Sequence, residues 1–177
     1  MDKYRSLHVG LGPIGREIVT AAVRSGRCEP VAAVDISPEL AGRSLADVVP
    51  TAGVPAVEVM DDLATAAQVA ADRGASVALV ATGSRVEQVQ PQFVTLMAAG
   101  LNCVTTCEEM VFPWLRAATA ADELNAAARA SGVSLLGVGV NPGFVLDLLP
   151  FVATRVCQTI SAIYATRIVN ASLRRQQ

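Results

Sequence analysis

Three stretches of this 177-residue chain bring together residue types that do chemistry. The first is Gly10-Leu11-Gly12-Pro13-Ile14-Gly15, a G-x-G-x-x-G run that follows a short apolar segment and opens a helical one. Gly10 permits a tight turn, Gly12 lets a pyrophosphate approach the backbone, and Gly15 lets helix and strand pack closely. The free N–H groups and positive end of the helix then meet the phosphates. Pro13 suits the first helical turn, where its missing N–H is not needed. Asp35 ends the second apolar run, twenty residues after Gly15, where an acidic residue takes the ribose hydroxyls of a dinucleotide. A carboxylate repels the extra phosphate of NADP, so NAD is favoured. Ser37 and Arg43, close by in sequence, would accommodate that phosphate. The plainer alternative is a tight turn and a helix-capping aspartate without a ligand. Thr82, Gly83 and Ser84, after another apolar run, are expected to form a further wall for the cofactor. Capping of the next helix by Thr82 or Ser84 is the structural alternative.

The second stretch is Thr105-Thr106-Cys107-Glu108-Glu109-Met110. A buried carboxylate must be paired or serve a purpose, so Glu108 or Glu109 is a candidate to hold a substrate ammonium or exchange protons with it. A solvated acidic pair at a helix start is the competing reading. The third stretch, Gly139-Val140-Asn141-Pro142-Gly143-Phe144-Val145-Leu146-Asp147, contains a rigid turn. The Asn141 amide, held by Pro142, would fix the carboxamide of a nicotinamide or a polar group of the substrate. Asp147 reads as a first-turn helix carboxylate, favourable against the dipole.

Elements that would position these residues alternate along the chain. Apolar runs fall at 6–9, 30–34, 56–59, 76–81, 102–106 and 133–138, and helical patterns at 13–25, 61–73, 86–99, 113–130 and 144–156. Strands that lack polar alternation and are separated by helices form a parallel sheet covered on both faces. The expected architecture is a doubly wound parallel α/β sheet, a Rossmann fold with strand order 3-2-1-4-5-6. Residues 1–157 would form the dinucleotide-binding domain. Thr159 to Ser172 reads as one long strand, apolar on both faces, so residues 158–177 would begin a substrate or oligomerisation domain that is missing or shared with another chain. As an uncovered edge such a strand would associate copies into a homo-oligomer.

Composition narrows the function further. The chain is 52% hydrophobic and 17% charged, with a net charge of -2. Nucleic-acid binding needs clustered Lys and Arg and is not expected. No uninterrupted apolar run approaches the ~20 residues that span a bilayer, and no signal-peptide pattern opens the chain, so a soluble, cytoplasmic protein is expected. No metal site is expected. Cys28, Cys103, Cys107 and Cys157 are scattered, and the extended span from Cys103 to Cys107, ~13 Å, is too long for one zinc. His8, the single histidine, completes no site.

These motifs resemble the dihydrodipicolinate reductase-like superfamily of NAD(P)-dependent oxidoreductases, in the branch containing 2,4-diaminopentanoate dehydrogenase and the native amine dehydrogenases. The resemblance rests on the Gly10–Gly15 loop, on Thr106-Cys107-Glu108-Glu109-Met110, and on the run from Gly139 to Pro150. It covers the chain but only the amino-terminal half of a family member. The histidine-rich and Lys-Asp-Ala-Pro-Ser-Gly-Thr-like stretches of true dihydrodipicolinate reductases are not in this sequence. The resemblance implies hydride transfer between a nicotinamide, NAD or NADP, and the C–N bond of a small amine, imine or carbonyl partner. It assigns the amine-binding carboxylate to Glu108 first and Glu109 second. A non-catalytic dinucleotide-binding module, or a truncated remnant, is the alternative.

Overall fold

The computed structural model describes residues 3–170. Six strands form one sheet: β1 (Tyr4–Val9), β2 (Cys28–Val34), β3 (Val59–Met60), β4 (Val77–Val80), β5 (Asn102–Thr105) and β6 (Leu135–Gly137). The helices are α1 (Pro13–Arg24), α2 (Leu45–Val48), α3 (Leu63–Asp72), α4 (Val86–Ala98), α5 (Ala118–Ser131) and α6 (Leu149–Ala153). All five strand pairings are parallel, in the order β3-β2-β1-β4-β5-β6. The order reverses between β1 and β4, which is where an open α/β sheet leaves a crevice at its carboxyl edge.

Alternation along each strand sends side chains to two faces. Leu7 and Val9 join Ala32, Val34, Phe93, Leu96 and Met97 in the core beneath α3, α4 and α5. Leu11, Val19, Ala33, Leu45, Val48 and Val59 form the second core, beneath α1 and α2. Alternating with Leu7 and Val9 stand two buried polar residues of β1, Ser6 and His8. His8 Nε2 lies 3.2 Å from Ser6 Oγ, which donates to the Glu29 carbonyl at 3.4 Å. Burial lowers the His8 pKa to about 4.

Local chemistry sets the element boundaries. Asp62 accepts the Thr65 N–H at 2.7 Å and starts α3. Gly132, at φ +66°, ends α5 with a left-handed turn that a side chain would strain.

Three expectations need adjustment, while the helix expected over 144–156 is met. The third strand spans Val59–Met60 rather than 56–59, because Glu58 bridges antiparallel to Ser44 and the loop folds back on itself. The 113–130 helix is broken: Pro113–Leu115 make one tight turn, Arg116 and Ala117 leave helical geometry, and α5 starts at Ala118. Asn141, Pro142 and Gly143 are non-helical, and helical backbone then runs through α6 into a closing turn at Thr154–Val156. Residues 159–170 of the expected long strand form neither strand nor helix. A strand needs a ladder partner, and no strand of the sheet pairs with this stretch. Tyr164 and Ile168 remain 93% exposed. Ala171 and Ser172 lie outside the described residues. Among the described residues no helix is long and apolar enough to cross a membrane.

Candidate functional site

The glycine loop is built by close backbone contact. Gly10 sits at φ +84° and donates its N–H to the Val34 carbonyl at 2.9 Å. A Cβ there would meet the Ala81 carbonyl oxygen at 2.8 Å and Thr82 Cγ2 at 2.9 Å, and a Cβ on Gly15 would overlap the Gly10 carbonyl. Gly12 differs, since a Cβ there would meet no atom within 4 Å. No side chain caps α1 at Gly12, so its first-turn N–H groups have no capping acceptor, as at a helix start that receives an anion.

Asp35 closes onto this loop. Its Oδ2 accepts the Leu11 N–H at 2.6 Å and its Oδ1 the Ser37 N–H at 2.8 Å. One bond per oxygen leaves lone pairs for further hydroxyl donors. Leu11 is fully buried and contributes through this bond rather than through its side chain. A cavity of about 370 Å³ lies over the loop, lined by Gly10, Gly12, Asp35, Ile36, Thr82 and Gln92 together with Val9, Val34, Asp61, Leu63 and Ala81. Its donors for an anion, its carboxylate and its apolar wall fit the diphosphate, ribose and ring of a dinucleotide.

Of the expected second wall, Thr82 lines this cavity and donates to Gln92 Oε1 at 2.6 Å. Gly83 lies behind it against Gln88 and Val89. The Ser84 carbonyl accepts the Glu109 N–H at 3.3 Å. Neither Thr82 nor Ser84 caps α4. That cap comes from Glu109, whose Oε2 accepts the Val86 N–H at 2.9 Å.

Glu109 therefore serves the scaffold, whereas Glu108 has no hydrogen-bond or ion-pair partner among the described residues. Glu108 faces a second cavity of about 400 Å³ with Glu109, Val111, Phe112, Leu115, Arg116, Pro142 and Asp147. The Pro142 turn and the Glu108 segment thus meet. Asp147 does more than sit in a helical turn: its Oδ2 accepts the Gly143 N–H at 2.7 Å and holds the Pro142 loop. Asn141 lines neither cavity.

Ile36, Asp61 and Gln92 at the first cavity, and Phe112, Leu115 and Arg116 at the second, were not signalled by any motif. Asp61, just past β3, was findable as a residue at a strand's carboxyl end, whereas Gln92 becomes visible only once α4 is docked. The cysteines are free thiols. Burial pushes Cys103 up to about 12 and also raises Cys107, helped by the Glu109 and Glu108 carboxylates against hydrogen bonds from the Met110 and Glu109 N–H groups. No cluster of metal-binding side chains occurs among the described residues.

No family model matches the chain. Over 176 residues it is 27% identical to 2,4-diaminopentanoate dehydrogenase of Acetoanaerobium sticklandii, covering 97% of this chain and 48% of that protein. Its fold superimposes on an amine dehydrogenase from Mycobacterium smegmatis with a TM-score of 0.75 at 25% identity, covering 88% of this chain and 44% of that one. An NAD-binding oxidoreductase from Klebsiella pneumoniae shares the fold at a TM-score of 0.60 and 17% identity, over 87% of this chain and 39% of that one. The chain is thus similar, over nearly all of its own length, to about half the length of a curated oxidoreductase and of a solved amine dehydrogenase.

Proposed function

We propose that the chain is the NAD(P)-binding portion of an oxidoreductase that moves hydride to or from the C–N bond of a small amine or imine. One observation carries the nucleotide half of this reading: the uncapped helix start at Gly12 opens onto the cavity that the Asp35 carboxylate flanks. When bound, a nicotinamide dinucleotide supplies the hydride acceptor or donor. The chain's residues do the rest. Gly12 and the first turn of α1 hold the diphosphate, and Asp35 takes the ribose hydroxyls, which disfavours a phosphate there and gives NAD the preference. Glu108 is the catalytic carboxylate. It holds the substrate ammonium, which gives up one N–H proton to water and so frees the nitrogen lone pair; the carboxylate then stabilises the positive charge that returns to nitrogen as the α C–H bond gives up hydride and C=N forms. The resulting iminium takes up water and releases ammonia; the reverse direction consumes both a carbonyl and ammonia.

Similarity to a diaminopentanoate dehydrogenase and an amine dehydrogenase supports the substrate class. The reading further places Asn141 near the carboxamide, residues 158–170 at the start of a substrate or oligomerisation domain, and the protein in the cytoplasm, whose reducing conditions suit its free thiols. Calorimetric titration with NADH and NADPH is the first test. Binding of NADH that Asp35→Ala weakens tenfold or more, narrowing the gap to NADPH, is expected. Binding of neither defeats the proposal. Binding without turnover across a panel of amines, or of oxo compounds with ammonia, would leave a dinucleotide-binding module. Turnover abolished by Glu108→Ala favours the enzyme.

A further inference from the structure

Resting on the nucleotide half of that reading, we propose that Arg16 is a positioning residue for the dinucleotide. It acts through the Leu11 backbone to hold the Asp35 carboxylate in place for the ribose, and so sustains the preference for NAD over NADP. Leu11 lies between the two. Its carbonyl accepts Arg16 Nε at 2.8 Å, and its N–H donates to Asp35 Oδ2 at 2.6 Å. The Arg16 N–H bonds the Gly12 carbonyl at 3.0 Å, so the side chain that reaches back to Leu11 springs from a fixed turn. Leu11 is fully buried while Arg16 is exposed. Asp35 lines the first cavity and Arg16 does not.

A guanidinium so placed has two effects, and they differ in sign for NAD preference. Its bond supplies a donor to the carbonyl of a buried residue. Without that donor the oxygen is left unpaired, which favours a peptide turned toward water. Such a turn draws the Leu11 N–H off Asp35 and leaves only the Ser37 N–H, on Oδ1 at 2.8 Å, to hold the carboxylate. A carboxylate free to rotate takes the ribose hydroxyls less well and repels a phosphate there less, so the gap between the two dinucleotides narrows. The charge of Arg16, by contrast, attracts every phosphate of a dinucleotide. NADPH carries one more phosphate than NADH, so loss of charge alone keeps the gap or widens it.

Two substitutions separate these effects. Arg16→Gln puts an amide N–H where Nε stands and keeps the donor without the charge. Arg16→Met keeps a stem of similar length and loses both. In calorimetric titrations Arg16→Met should raise the Kd for NADH fivefold or more and that for NADPH by less than half as much. Arg16→Gln should leave the ratio of the two within twofold of wild type. In the cofactor-free protein, hydrogen exchange at the Leu11 amide should quicken at least fivefold in Arg16→Met and hold within twofold in Arg16→Gln. Equal losses for the two dinucleotides in Arg16→Met, a narrowed gap in Arg16→Gln, or no preference for NADH in wild type overturns the assignment. Leu11 exchange that Arg16→Met leaves unchanged overturns it as well. Dinucleotide binding with an unmoved preference sinks the role of Arg16 alone, whereas a wild type that binds neither dinucleotide sinks the nucleotide reading and this role with it.

Discussion

The glycine cradle and the stretch from Gly139 to Asn170 begin at the same carboxyl edge of the sheet but are built differently. In the cradle, backbone lies against backbone, and Leu7, Leu11 and Val19 behind it are fully buried. Beyond Gly139, Phe144, Leu148, Phe151 and Val156 are each at least half exposed, and residues 157–170 add neither strand nor helix. The difference teaches where shape is enforced. The proposed nucleotide side is fixed by core packing, while the proposed substrate side hangs on short turns and on two carboxylate–backbone bonds, from Glu109 and Asp147. Perturbing the first should cost stability and binding together. Perturbing the second should separate them.

The strongest break of the comparison is at Gly15. A methyl group there collides with the Gly10 carbonyl, and backbone on both sides cannot yield cheaply. Gly15→Ala should destabilise the fold by about 3 kcal/mol and abolish dinucleotide binding, read by urea unfolding and calorimetry. Gly12→Ala is the matched control. Its methyl meets no protein atom, so the unfolding midpoint should hold while NADH affinity falls at least tenfold. Equal destabilisation by the two substitutions would refute the claim that Gly12 faces a ligand.

His8 gives the next effect and belongs to the buried side alone. Its pKa is about 4 in the folded protein against a reference of 6.5. Between those values the unfolded chain binds more protons, so stability is full above about pH 6.5 and declines as pH falls toward 4. Complete loss amounts to about 3 kcal/mol. Urea midpoints at pH 7 and pH 4.5 should show the decline, and His8→Gln should flatten it. A midpoint in wild type that does not fall with pH would argue against a buried neutral imidazole.

Glu108 and Glu109 carry the comparison into a single dipeptide. Glu109→Ala removes the acceptor at the start of α4 and should lower stability by about 1 kcal/mol. Glu108→Ala removes nothing bonded and should leave thermal unfolding unchanged while eliminating turnover. The opposite assignment of losses would mean that the two carboxylates exchange roles.

The sequence resolves these regions unequally for a physical reason. The cradle was legible because Gly10 answers a demand of φ and Gly15 one of close approach, and Asp35 lies at a distance set by one helix and one strand. Strand order followed from the alternation of apolar strands with helices, which the doubly wound sheet requires. Glu108 and Glu109 could be named but not distinguished, because only the docking of α4 decides which carboxylate reaches the Val86 N–H. The break at Arg116 was hidden by an alanine-rich run whose helical propensity continues through it. The apolar residues of 159–170 satisfy a strand pattern, yet alternation describes faces and cannot supply a ladder partner.

The smallest effect lies in that last stretch. Ile168 and Tyr164 are 93% exposed, so neither has given up water contact that a polar side chain would restore. Substitutions at such positions move stability by no more than about 0.5 kcal/mol. Ile168→Asn and Tyr164→Ser, singly or together, should therefore leave the urea midpoint and NADH affinity where they are. If copies associate through this stretch, the double variant should shift sedimentation toward smaller species without touching either quantity at low concentration. A midpoint that drops by several times that amount in dilute monomer would show that these side chains pack against their own domain, and the contrast between the two regions would then dissolve.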